Sequence, residues 1–112
     1  MPAVSSDGAG AVLDALGDPT RRRLVGLLAA RESATATELA AELPITRQAV
    51  SKHLGTLSAA GLVDARRRGR ETRYRVRPEP LAEAMSWLAA VGAQWDERLE
   101  ALRAFLVQPP RA

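Results

Sequence analysis

Arg47, Gln48, Ser51 and Lys52 fall on one side of a helix if the chain is helical there, with Thr46 and His53 flanking them. Arginine and glutamine are the side chains that form paired hydrogen bonds with the edges of guanine and adenine, and serine and lysine reach bases or nearby phosphates. The chemistry on offer is recognition, not bond making. A solvated polar face on an ordinary helix is the alternative, and these residues by themselves leave the two readings level.

The elements needed to position them are legible on either side. Ala49, Val50, Leu54 and Leu57 recur at helical spacing opposite the polar set, and Thr46 is placed to cap the helix. Upstream, Thr35-Ala36-Thr37-Glu38 has the form of a capping box opening a shorter helix to about Leu43. Leu43-Pro44-Ile45 then joins two helices into a helix-turn-helix, whose second helix is the one that enters a DNA major groove. Gly61 followed by Leu62 closes that helix near Ala60.

Beyond Gly61 the period changes from 3.6 to 2. Thr72, Tyr74 and Val76 alternate with Arg73, Arg75 and Arg77, and the segment from Leu62 to Arg68 can pair with this one across a tight turn at Gly69. Seven arginines lie between Arg66 and Arg77. Like charges facing one another across a hairpin repel, so another molecule is expected to supply the negative charge. Following a helix-turn-helix, this hairpin reads as a wing at about residues 62–77, with Arg68, Arg70 and Arg73 against the flanking backbone or minor groove.

Composition bounds the rest. The chain has 112 residues, 46% hydrophobic, enough for one domain that would gain from a partner. It has no cysteine, which removes disulfides, thiol nucleophiles and Cys-based metal sites, and 4% aromatic content is low for a base-stacking RNA platform. No apolar run approaches the roughly 20 residues needed to span a bilayer. Residues 1–10 lack the pattern of a signal peptide, so the expected location is the cytoplasm. The net charge of +3 conceals a division: residues 19–77 hold 13 Lys or Arg against 5 Asp or Glu, and both flanks are acidic. A basic centre of this kind suits a polyanion.

Two apolar surfaces flank that centre. A short helix over Ala9–Leu16, after a frayed start through Gly8, presents Val12, Leu13 and Leu16 and is expected to end at Gly17. Asp18-Pro19 restarts a helix running to about Ala30, with Arg21, Arg22 and Arg23 in its first turns. Arg21 is a candidate phosphate contact, and a solvated face is the alternative. From about Pro80 to Leu106, Leu81, Met85, Leu88, Gly92, Trp95, Leu99, Leu102 and Leu106 alternate steps of four and three, and Gln108-Pro109-Pro110 ends the helix. Such a stripe exceeds what a small winged helix can cover. A homodimer interface of Val12, Leu13, Leu16, Leu81, Met85, Leu88, Trp95, Leu99 and Leu102 is the expectation.

Catalysis has no support in the residues. Ser51 and His53, two apart on a helix, face different ways with no carboxylate to complete a triad. Asp96, Glu97 and Glu100 fit the solvated side of a helix, and the single histidine, His53, cannot assemble a metal site without several partners.

The residues also carry a family resemblance. Leu16-Gly17-Asp18-Pro19-Thr20-Arg21, Glu38-Leu39-Ala40, Ala49-Val50-Ser51-Lys52-His53-Leu54 with Leu57, Ala60-Gly61-Leu62-Val63, and Gly69-Arg70 before Tyr74 together resemble the ArsR/SmtB family of bacterial winged-helix repressors, over about residues 9–106. The resemblance implies a homodimer on an operator near its own promoter, released by a signal. Many such proteins sense metals through a Cys-x-Cys-Asp/Glu-Leu signature. Thr35-Ala36-Thr37-Glu38-Leu39 stands at that place, with threonine at both thiolate positions, and the last helix has no histidine, so no metal or cofactor is expected and the inducer is unassigned.

The sequence therefore predicts a mainly α fold with a small β-hairpin: about five helices and a two-stranded wing in one winged-helix domain over residues 1–112, with dimerisation helices at both ends. Its predicted partner is double-stranded operator DNA, bound as a homodimer. A regulator of MarR-like architecture, a sequence-neutral nucleoid protein, and a winged-helix module for protein or RNA contacts remain as alternatives.

Overall fold

The computed structural model describes residues 6–107 and contains α1 (Ser6–Ala15), α2 (Pro19–Ala29), β1 (Ala34–Thr35), α3 (Ala36–Ala40), α4 (Arg47–Ala59), β2 (Val63–Arg68), β3 (Glu71–Val76) and α5 (Pro78–Val107). The reading of residues 1–5 and the helix stop at Gln108-Pro109-Pro110 lie outside the described residues. Five helices match the expectation. The sheet is larger than expected, with three antiparallel strands in the order β1-β3-β2.

Local chemistry sets most of the boundaries. Asp18 caps α2, its carboxylate accepting the backbone N–H groups of Thr20 at 2.8 Å and Arg21 at 3.2 Å, and Pro19 follows at the first helical position. The expected capping box is present at α3, where Thr35 Oγ1 accepts from Glu38 N and Glu38 Oε1 accepts from Thr35 N. That helix stops at Ala40, short of the expected Leu43, and Pro44 disfavours helical backbone at Leu43 itself. The end of α4 is a Schellman turn: Gly61 at φ 79° donates to Ser58 O, and Leu62 donates to Leu57 O. At the wing tip the loop Gly69-Arg70 has a positive φ only at Gly69, as a type II′ hairpin requires.

Other boundaries depart from the prediction. Helix α1 begins at Ser6 instead of Ala9, and α5 begins at Pro78 instead of Pro80, since prolines in a first turn lack only N–H groups that the helix does not use. Gly17 is not at positive φ. Its carbonyl neighbours explain the glycine, since a Cβ there would come within 3.1 Å of the Asp14 carbonyl oxygen.

The core is apolar throughout: Leu24 and Leu28 of α2, Leu39 of α3, Val50, Leu54 and Leu57 of α4, and Leu62 and Val63 entering the wing are all buried. Ala9, Val12 and Ala15 of α1 join it together with Ala84 of α5, because α1 lies along the first half of α5. No polar or charged residue is buried among the described residues.

The caps make stability depend on acid pH. Backbone N–H groups, Arg21's first, hold the Asp18 carboxyl below its usual range, and Thr35's does the same for Glu38. A depressed folded pKa contributes stability above the unfolded value and loses it as pH falls through the folded one. The thermal midpoint should thus be level between pH 7 and about 5, then fall below about pH 4. Melting curves of an Asp18→Asn, Glu38→Gln variant, which keeps the hydrogen bonds but cannot titrate, should show a shallower acid decline, and an unchanged decline would contradict the assignment.

Candidate nucleic-acid interface

Helix α4 separates its two roles by side. Val50, Leu54 and Leu57 are fully buried and seat the helix on the core, and Thr46 Oγ1 caps it by accepting from Ala49 N at 3.1 Å. Thr46, Arg47, Gln48, Ser51 and Lys52 are all exposed, in the first turns of the helix. None of the ion pairs among the described residues involves Arg47 or Lys52. The first turns of such a helix are the part that meets base edges.

The expected set is not brought together intact. Arg21 turns away from solvent. Its guanidinium donates to the carbonyl oxygens of Ala15 and Asp14, lies 3.9 Å from the Asp18 carboxylate and meets His53 Nδ1 at 3.5 Å. Arg22 donates to Leu16 O at 2.6 Å. Both arginines thus satisfy carbonyls left open at the end of α1. Arg21, expected at a phosphate, is engaged within the protomer as a helix clamp, and His53 sits half-buried beside it.

Arg73 is likewise engaged within the protomer. It donates to Ser33 Oγ at 2.9 Å and to Ser33 O, and it pairs with Glu38 and Glu71, both at 3.2 Å. The guanidinium ties β3 to the capping box of α3. Arg68 and Arg70, at the tip, are exposed and have no ion pair among the described residues. What sequence reading left unassigned are Arg66 and Arg75, which share the Asp64 carboxylate at 3.7 Å and 3.5 Å. Their alternation along the strands was the available signal.

A model of a helix-turn-helix domain matches residues 16–66. An HTH-type transcriptional regulator of Bacillus subtilis, YuzN, is 44% identical over 72 residues, covering 59% of this chain and 75% of that protein. Among solved structures, an ArsR-like transcriptional regulator from a Rhodococcus species superposes with a TM-score of 0.78 at 38% identity, covering 88% of this chain and 92% of its own. The chain belongs to the ArsR family. A homodimeric winged helix-turn-helix DNA-binding domain from Mycobacterium bovis, a possible family member, superposes at 0.63 and 27% identity over 79% of this chain and 81% of that one. Some curated relatives extend well past the match, which spans 64% of their length.

The protein is accordingly a DNA-binding transcription regulator with the winged helix-turn-helix fold of the ArsR family. Among its described residues there is no group of three or more His, Cys, Asp or Glu placed to hold a metal ion, and no helix is long and apolar enough to cross a membrane.

The long helix of this ArsR-family regulator carries an exposed apolar face. Met85, Leu88, Trp95, Leu99, Leu102, Phe105 and Leu106 all stand in solvent, and every residue from Gly92 to Leu106 is exposed. Of the expected interface, Val12 is 2% exposed inside the protomer's own core, and Leu16 and Leu81 are partly buried against that core. Leu13 stays exposed.

Proposed function

We propose that this regulator is a homodimeric repressor that recognises a specific operator near its own promoter, in the cytoplasm, and leaves it on a signal. The unpartnered face of α4 carries the reading: Arg47, Gln48, Ser51 and Lys52 are exposed on a helix whose other side is locked into the core. Arg47 and Gln48 make the paired base contacts, Ser51 and Lys52 support them at bases and phosphates, and Arg68 and Arg70 grip the flanking backbone or minor groove. Thr46 fixes the start of the helix.

Dimerisation is supported by the exposed α5 face and by the homodimeric relative. The N- and C-terminal helices then serve as the dimerising parts of one winged-helix domain, through Leu13, Met85, Leu88, Trp95, Leu99 and Leu102. Seven large apolar residues exposed on α5 are unfavourable in water, and a second copy offers an identical stripe. Repression needs only that a bound dimer exclude polymerase. A reporter driven by the DNA upstream of the protein's own gene tests this: expression should fall when the protein is supplied, and unchanged or raised expression would contradict the repressor reading.

Metals should not be the signal. Thr35 and Thr37 place hydroxyls, not thiolates, at the start of α3, and their neighbourhood is taken up by the capping box and Arg73. Zinc, cadmium or arsenite at low micromolar concentration is expected to leave the operator complex intact in a gel shift. Stoichiometric tight binding by calorimetry, with loss of the shifted complex, would overturn this.

A further inference from the structure

We propose that the cleft between the end of α2 and the outer face of the wing binds a small, multiply charged anion, a compound with two or more phosphate or carboxylate groups. The cleft measures about 560 Å³ and is bordered by Arg31, Arg66, Arg68, Arg73, Arg75 and Ser33. That volume is typical of small-molecule sites, which run from roughly 300 to 1,000 Å³. Five arginines face a single carboxylate, Glu32, among the lining residues.

Two of the five arginines are compensated from within, Arg31 by Glu42 at 2.7 Å and Arg73 by Glu38 and Glu71 at 3.2 Å, and Arg66, Arg68 and Arg75 are less so. Arg66 and Arg73 are direct cross-strand partners, an arrangement of like charges that costs stability. Asp64 serves both Arg66 and Arg75 at 3.5 Å or more, and Arg68 has no ion pair among the described residues. An anion seated across these guanidiniums receives charge-assisted, forked hydrogen bonds and removes the repulsion.

A duplex is the other source of such anions; it shares Arg68 with the cleft at the wing tip, and the geometry of the remaining lining residues disfavours it. None of the exposed α4 residues Thr46, Arg47, Gln48, Ser51 and Lys52 borders the cleft, which is concave and is also lined by Val76 and by Pro78, where α5 begins. DNA offers its phosphates on a convex surface.

The cleft is also joined to the helix-turn-helix. Arg73 lines it and holds Glu38 at 3.2 Å, while Glu38 caps α3 by accepting from Thr35 N at 2.8 Å. An anion that engages Arg73 competes with Glu38 and loosens the tie between wing and α3. Occupancy therefore weakens operator binding, a coupling that rests on the regulator reading above, whereas the site itself does not.

Calorimetry of the full chain with pyrophosphate, at ionic strength held constant with sodium chloride, tests the site without DNA. One pyrophosphate per protomer is expected. An Arg66→Gln, Arg75→Gln variant should weaken it by about tenfold or more, since two charge-assisted contacts are lost, and Arg23→Gln on α2 should leave it unchanged. Exposed pairs such as those with Asp64 add little stability, so the variant should fold, which circular dichroism checks. No binding, or equal weakening by Arg23→Gln, overturns the site.

Fluorescence anisotropy with labelled operator then separates the sources. The cleft variant should bind operator within about threefold of the parent protein, and pyrophosphate should weaken operator binding by about fivefold or more in the parent alone. Loss of operator affinity in the variant to the extent seen on removing Arg70 would assign the cleft to DNA phosphates and overturn the small-anion proposal. Pyrophosphate binding with no effect on a functional operator complex would refute the coupling. Saturable pyrophosphate binding by a protein that recognises no operator would sink the regulator reading and leave the site standing.

Discussion

Leu99→Arg is expected to turn the dimer into a folded monomer that scarcely binds its operator, and Leu88→Arg to do the same. In the protomer Leu99 is exposed, on a stretch of α5 where every residue from Gly92 to Leu106 is exposed, so a monomer accommodates arginine there without strain. In a symmetric dimer the same change sets an unpaired charge in an apolar seam twice, at a cost of roughly 3 kcal/mol or more. Operator affinity should then drop by about 100-fold or more, because the second half-site is no longer reached from a linked partner. Sedimentation velocity and a helical circular dichroism spectrum on one sample read both consequences. A variant that remains dimeric would remove α5 from the interface, and one that unfolds would mean that the protomer depends on its partner to fold.

Substitutions on α4 and on the wing should fail in different ways. Arg47→Ala or Gln48→Ala removes a bidentate base contact, costs about 1 to 3 kcal/mol on the preferred site and flattens discrimination among sequences. Arg70→Ala, at the exposed hairpin tip, removes a phosphate contact instead. It should weaken all duplexes alike and lower the slope of log affinity against log salt by about one unit per contact, or two per dimer. Salt titrations on preferred and scrambled duplexes separate the cases. An equal loss of discrimination in all three variants would show that the wing reads sequence as well.

Which arginines are held within the protomer was the part that sequence could not supply. Asp18-Pro19, the Thr35/Glu38 box, Thr46, Gly61 and Gly69 were all legible because each acts within a few residues of itself, through caps and turns whose geometry is local. Arg21 and Arg73 were not, because their partners are carbonyls of α1, Ser33, and the Glu38 carboxylate, brought near only by the folded chain. The same holds for Val12, whose apolar spacing on α1 is compatible with an interface until α5 lies across it. The strand β1 has two residues, too few for any alternation to register, and its pairing of Ala34 with Tyr74 depends on where α2 ends. The heptad spacing of α5 was visible, and so was the excess of exposed apolar surface that follows from it.

Competition anisotropy tests the central claim most directly. The duplex is first selected from random sequence by the protein itself, and labelled complex is then challenged with unlabelled selected or unrelated DNA at one fixed salt concentration. The account predicts two half-sites related by approximate dyad symmetry, their centres about one helical turn or a multiple of it apart, and a preference over unrelated DNA of at least about 10³. A preference below about tenfold, or a selected pool with no common sequence, would contradict it and leave a sequence-neutral DNA-binding protein.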